Sequence, residues 1–188
     1  MTRQSIVFLD RDGTLVQDLG WNNDPSSINL LAGTCRALRK LKKAGALLVL
    51  ITNQSAVARG ICTEEDVQLF HDELNKRLMK DGAALDAIHY CPHHPSEGRG
   101  PCTVLCECRK PAPGMILKAC DDFNIAPTDC FVVGDSSSDT GAGRAAGCRT
   151  ILIQKEAPDG LPDPDPDFPC SDLGTAADWI LGRLEERE

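Results

Sequence analysis

The stretch "IVFLDRDGTLV", Ile6 to Val16, is an apolar run that ends in Asp10 and Asp12, with Arg11 between them and Gly13 and Thr14 after. Residues two apart share a face of an extended strand. The two carboxylates would therefore repel each other and lose hydration unless a positive charge joined them. A divalent cation removes that penalty. Mg²⁺ takes hard oxygen ligands and keeps several waters, so one or two carboxylates plus a phosphate oxygen complete its shell. Asp135, closing the apolar run "CFVVGD", is a natural third ligand. Gly13 lets the chain turn sharply after the pair.

A second constellation lies in "CPHHPSEGRGPCTVLCECRKP". Cys91, His93, Cys106 and Cys108 make a Cys₃His set, a closed tetrahedral shell for Zn²⁺, with Cys102 and His94 as spare candidates. With no open position the zinc is expected to be structural, fixing a loop (91–108) that buries too little to fold alone. The loop runs straight into Arg109 and Lys110, so the zinc would position two cations.

Elements that could carry these groups follow from the apolar pattern. "SIVFLD", "ALLVLIT", "AIHYC", "CFVVGD" and "TILIQ" read as buried strands. Between them, helical spacing covers 34–45, 63–80, 113–124 and 138–147, and "TAADWILGRLEERE" closes the chain as a helix. Thr63 and Asp66 form a capping box for the second of these helices. The stretch "APDGLPDPDPDFPCSD" is expected to be a Pro/Asp-rich loop. Strands alternating with helices imply a parallel sheet with helices on both faces, whose ligands bind beyond the carboxyl ends of the strands. Asp10, Thr52 and Asp135 each end a strand, so three strands deliver polar groups to one rim.

The chain has 188 residues, 41% of them apolar and only 4% aromatic, so a single domain (1–188) with an aliphatic core is expected. A net charge of −8 without a basic run argues against nucleic acid as a partner. No apolar stretch is long enough to span a membrane, and the N-terminus lacks the apolar region of a secretory signal. The expectation is a cytoplasmic monomer. In a reducing compartment the ten cysteines are not a disulfide framework, and the six outside the loop are small core filler.

Taken together, these motifs resemble the haloacid dehalogenase (HAD) superfamily of phosphotransferases. The motif Asp-x-Asp-Gly-Thr is Asp10 to Thr14, the Ser or Thr ending a strand is Thr52, the Lys is Lys110 in "CRKP", and the acidic cluster is Asp135 and Asp139 in "VVGDSSSD". The resemblance implies a Rossmann-like HAD fold without a large cap domain. It implies Asp10 as nucleophile and Asp12 as acid and then base, which is why two carboxylates are needed. Mg²⁺ would be held by Asp10, Asp135 and the backbone carbonyl of Asp12, while Thr52 and Lys110 would hold the phosphoryl oxygens. Asp139 would orient Lys110 or sit at a helix N-terminus.

Within the superfamily, the cysteine loop and "TNQSAVARG" resemble the heptose bisphosphate phosphatases, with histidinol phosphatases as the alternative. That likeness implies a sugar phosphate as substrate and a place in lipopolysaccharide core or nucleotide-heptose synthesis. It implies Asp18 and Trp21 in the sugar pocket, Asn53 and Ser55 beside the phosphate, and Arg59 and Arg109 at the substrate. The Lys usual after the fourth-motif Asp is Ser136 here, and the usual Tyr is Trp21.

Overall fold

The computed structural model describes residues 4–98, 100–154 and 165–186. Six parallel strands form one sheet: β1 (Ile6–Leu9), β2 (Leu47–Asn53), β3 (Ala87–Cys91), β4 (Phe131–Gly134), β5 (Arg149–Ile153) and β6 (Phe168–Cys170). Their order is β3-β2-β1-β4-β5-β6. Among the described residues four α-helices lie between strands, α1 (Thr34–Lys43), α2 (Glu64–Lys80), α3 (Gly114–Phe123) and α4 (Ser137–Ala146), and a fifth, α5 (Leu173–Glu185), follows β6. None of the helices among the described residues is long and apolar enough to cross a membrane.

The core strands have no polar face because both faces are covered. On β1, Val7 and Leu9 pack with Leu38 and Leu41 of α1, Phe70 and Leu74 of α2 and Ile180 of α5. Ile6 and Phe8 point the other way, onto Met115 and Ile116 of α3 and Ala142 of α4. A continuous run of large apolar residues is the sequence consequence of burial on both sides. Each such side chain contributes about 1.5–3 kcal/mol when fully buried.

The helix ends obey local rules. Thr63 and Asp66 close the expected capping box on α2. Ser136 and Asp139 make another on α4, and Gly147 ends that helix in the left-handed region at φ 86°.

One element departs from the sequence reading. Part of the expected Pro/Asp-rich loop is a strand, β6, paired in parallel with β5 through Ile151–Phe168, Leu152–Pro169 and Ile153–Cys170. Pro169 is tolerated because β6 is an edge strand and needs a partner on one side only. Phe168 stacks on Trp179 of α5 at 5.1 Å between ring centroids, and Phe131 meets Trp179 edge-on at 6.2 Å. Aromatic packing, rather than alternating polarity, recruits this strand. Residues 155–164 of the expected loop lie outside the described residues.

Strand order reverses at β1. The chain moves from β1 to β2 on one side and later returns to β4 on the other. In register, Leu9 lies between Leu50 and Val133, and Asp10 N–H donates to the Val133 carbonyl at 3.0 Å. The carboxyl ends of β1 and β4 therefore diverge at a topological switch point, where open α/β sheets form their ligand crevices.

Candidate active site

A cavity of about 270 Å³ opens at this switch point. Asp10, Asp12, Asp18, Trp21, Thr52, Asn53, Ser55, Lys110 and Asp135 all line it, as the sequence leads one to expect, together with Gln54 and Ser136.

Lys110 is its buried centre. The ammonium donates to Asp10 Oδ1 at 2.6 Å, to Asp139 Oδ1 at 2.5 Å and to the Ile51 carbonyl at 2.9 Å. Asn53 clamps the Lys110 backbone in both directions: its Nδ2 donates to the Lys110 carbonyl, and the Lys110 N–H donates to its Oδ1, each at 3.0 Å. The Lys110–Pro111 peptide bond is cis. Asp139 fulfils both of the roles open to it in sequence. Its Oδ1 takes Lys110, and its Oδ2 takes the Ser136 hydroxyl at 2.5 Å and the Ser136 N–H at 3.2 Å. Ser136, where the resemblance leads one to expect Lys, is thus committed to the cap of α4.

The electrostatics follow from burial. Removal from water works against the Lys110 charge, but the carboxylates of Asp10 and Asp139 outweigh it and hold the ammonium well above the ordinary lysine value. Burial pushes the Asp10 carboxyl up to about 8; Lys110 opposes the shift, and Asp139 and Asp12 reinforce it. Asp135, whose outer face is open to solvent, is pushed up to about 6 by the protein packed around it and then by Asp139.

These shifts carry a sign. The folded protein keeps a proton on Asp10 that the unfolded chain has lost above 3.8. In Mg²⁺-free buffer its contribution should therefore reduce stability as pH rises from about 4 to about 8. Added Mg²⁺ should restore the loss, most strongly at the alkaline end, because the cation favours the ionised form. Melting temperatures across this window, with and without Mg²⁺, test the expectation; a Mg²⁺ effect that weakens as pH rises contradicts it.

The donor set fits Mg²⁺. Oxygens of Asp10, Asp135 and Asp139 lie within 4.8 Å of one another, and all are hard ligands. Asp10, Asp12, Asp135 and Asp139 face two buried cations, Lys110 and Arg11, so the rim is short of positive charge. Gly13 makes room for the cluster. Its φ is +77°, and a Cβ there would lie 1.8 Å from Asp135 Oδ2.

Arg11, to which the sequence pattern assigns no task, is 1% exposed beside the cavity. Its Nε donates to Asp12 Oδ1 and Oδ2 at 3.0 and 2.9 Å, and Nη2 pairs with Oδ2 at 2.9 Å. Gln54, also missed, donates from Nε2 to Asp12 Oδ2 at 3.2 Å and to Thr52 Oγ1 at 2.9 Å.

The four zinc candidates converge. Cys91 Sγ lies 3.6 Å from Cys106 Sγ and 3.2 Å from Cys108 Sγ, the latter two are 3.4 Å apart, and His93 Nδ1 lies 3.6 Å from Cys91 and 3.4 Å from Cys108. Metal–sulfur bonds of about 2.3 Å make a tetrahedron with edges of about 3.7 Å, shorter to nitrogen. The cluster is slightly tight but of that size, and far too open for disulfides. The spare candidates stay outside it. His94 Nδ1 accepts from the N–H groups of Ser96 and Glu97 at 3.3 and 2.8 Å, and Cys102 is not among the converging ligands.

Two expected substrate residues do not line the cavity. Arg109 donates from Nη1 to the His93 carbonyl at 3.1 Å, bracing the cysteine loop. Arg59 pairs with Glu97 and lies over the Trp21 ring, 4.6 Å from its centroid. This cluster ties the cavity mouth to the same loop.

The switch-point carboxylates, the buried lysine and the strand-end threonine define a HAD-type phosphatase. Residues 107–176 match the HAD-hydrolase-like family. A D-glycero-β-D-manno-heptose-1,7-bisphosphate 7-phosphatase from Pasteurella multocida is 42% identical over 81% of this chain and 83% of its own length. Another from Yersinia pestis is 37% identical over 96% and 91%. The crystal structure of D,D-heptose 1,7-bisphosphate phosphatase from B. bronchiseptica, complexed with magnesium and phosphate, superposes with a TM-score of 0.80 at 32% identity, covering 95% of this chain and 99% of that one. The chain belongs to the family of D-glycero-β-D-manno-heptose-1,7-bisphosphate 7-phosphatases.

Proposed function

We propose that this protein removes the C7 phosphate of D-glycero-D-manno-heptose 1,7-bisphosphate. The observation that carries the reading is Lys110 held between Asp10 and Asp139 at the mouth of the central strand. This arrangement keeps one cation beside one nucleophile. The named relatives support the choice of substrate.

In the proposed cycle an Asp10 oxygen attacks phosphorus and the bond to the sugar oxygen breaks. Asp12 supplies the proton that the departing alkoxide needs. Water then attacks the aspartyl-phosphate, giving a proton to Asp12 and releasing phosphate with Asp10 restored. Lys110 and Thr52 hold phosphoryl oxygens, while Asp18 and Trp21 receive the sugar and Asn53 and Ser55 complete the phosphate side. Arg109 and Arg59, engaged with the His93 carbonyl and with Glu97, would act by holding the loop beside the cavity rather than by touching the phosphoryl group. Asp10, Asp135 and the Asp12 carbonyl would hold Mg²⁺, which supplies positive charge as the negative charge on phosphorus spreads. Cys91, His93, Cys106 and Cys108 would hold a structural Zn²⁺.

The same reading makes the protein a cytoplasmic monomer acting on a free sugar phosphate, and the charge of −8 supports a small-molecule substrate over nucleic acid. Phosphate release with Mg²⁺ should be fastest on heptose 1,7-bisphosphate, offered as both anomers beside histidinol phosphate and fructose 1,6-bisphosphate. A preference for histidinol phosphate would move the protein to the alternative substrate class.

A further inference from the structure

Among the described residues Arg11 is the largest side chain that is fully buried. A guanidinium is costly to remove from water, and the cost is offset only by close charged and hydrogen-bonding partners. The partners are specific. Asp12 takes Nε and Nη2 in a fork. On the other side, Nη1 donates to Asn23 Oδ1 at 2.7 Å and lies 3.5 Å from His71 Nε2. Burial and the Arg11 charge push His71 down to about 3, so it faces Arg11 as a neutral imidazole. Below, the guanidinium rests on the Phe70 ring, 4.4 Å from its centroid. The guanidinium is thus held on one side by Asn23, on a second by α2, and presents its third to Asp12.

We infer that Arg11 is a positioning residue: its fork, braced by Asn23 and α2, sets the direction of the Asp12 carboxylate for proton transfer to the leaving oxygen. The geometry distributes the donors unevenly. Oδ2 receives Arg11 Nε, Arg11 Nη2 and Gln54, whereas Oδ1 receives Arg11 Nε alone. Oδ1 is therefore the oxygen with capacity left for the leaving group. Gln54 donates from Nε2 to both Asp12 Oδ2 and Thr52 Oγ1, so the same carboxylate is coupled to Thr52. A lysine at position 11 would keep the charge but could not form the fork.

The inference rests on the proposed cycle, and leaving-group dependence tests it separately. An alkoxide must be protonated as it departs, whereas p-nitrophenolate leaves without help. Arg11→Lys should lower kcat/KM on heptose 1,7-bisphosphate by about 100-fold, the scale of a misplaced general acid, and on p-nitrophenyl phosphate by only a few-fold. Asn23→Ala, which removes the brace while keeping the fork, should show the same asymmetry at roughly 10-fold. It carries the test if Arg11→Lys does not fold. Equal losses on both substrates, or no loss on either, would overturn the inference. Asp10→Asn run in parallel separates the two ideas. If it is dead on both substrates the cycle stands, and the asymmetry alone decides the role of Arg11. If it remains active, the cycle itself is wrong.

Discussion

Asp10→Asn should abolish turnover, by about 10⁵-fold or more, and leave the fold intact. The amide cannot form the acyl phosphate, and the carboxylates bonded into the same network are already engaged. Asp139 is spent on Lys110 and Ser136, and Asp12 is held by Arg11 and Gln54. Stability should be unchanged or raised. Burial acts against the Asp10 charge, and Lys110 keeps Asp139 and the Ile51 carbonyl when Asp10 is neutralised. Phosphate release and thermal denaturation of the same preparation measure both halves. Residual activity above a tenth of the parent would show that Asp10 is not the nucleophile. So would failure to detect a phosphorylated Asp10 in acid-quenched parent enzyme by mass spectrometry.

Cys106→Ser should lower the melting temperature by about 10 °C or more, because the zinc proposed for this loop would contribute folding free energy far beyond an ordinary side-chain contact. It should also lower activity, since Cys106 and Cys108 immediately precede the residues that deliver Lys110. Gly114 sits so close to the Glu107 carbonyl that an added Cβ would be 2.4 Å from it, so the loop and the start of α3 are packed backbone to backbone. Elemental analysis of the parent should give one zinc per chain and that of Cys106→Ser much less. A zinc-free parent with the same melting temperature would remove the metal from the account of this loop.

The strands and helices around the rim were legible because both faces of the sheet are covered. A run such as Ile6–Leu9 can then be read without knowing its partners. The acids at strand ends were legible for the same reason, as charges that interrupt an apolar run. β6 was hidden because three residues with Pro169 among them carry no strand signal; Trp179, more distant in sequence, supplies the surface that holds Phe168. Arg11 was hidden because a lone arginine is ordinarily solvated, and its partners Asn23 and His71 are 12 and 60 residues away. Gln54 carried a faint signal: it lies two residues after Thr52 and could share its side of the chain. Asn53 was visible as a cavity residue, but its clamp on the Lys110 backbone depends on contact across 57 positions.

Lys110 is tethered at three points, and only one of them is the group expected to change during the reaction. Once Asp10 is esterified its carboxylate charge is gone, and a lysine anchored to that group alone would be released to swing toward solvent. Asp139 and the Ile51 carbonyl, 2.5 and 2.9 Å away, hold the ammonium in place regardless. In the proposed cycle the cation would therefore stay in place through both halves, and neither covalent state would wait for a side chain to reset.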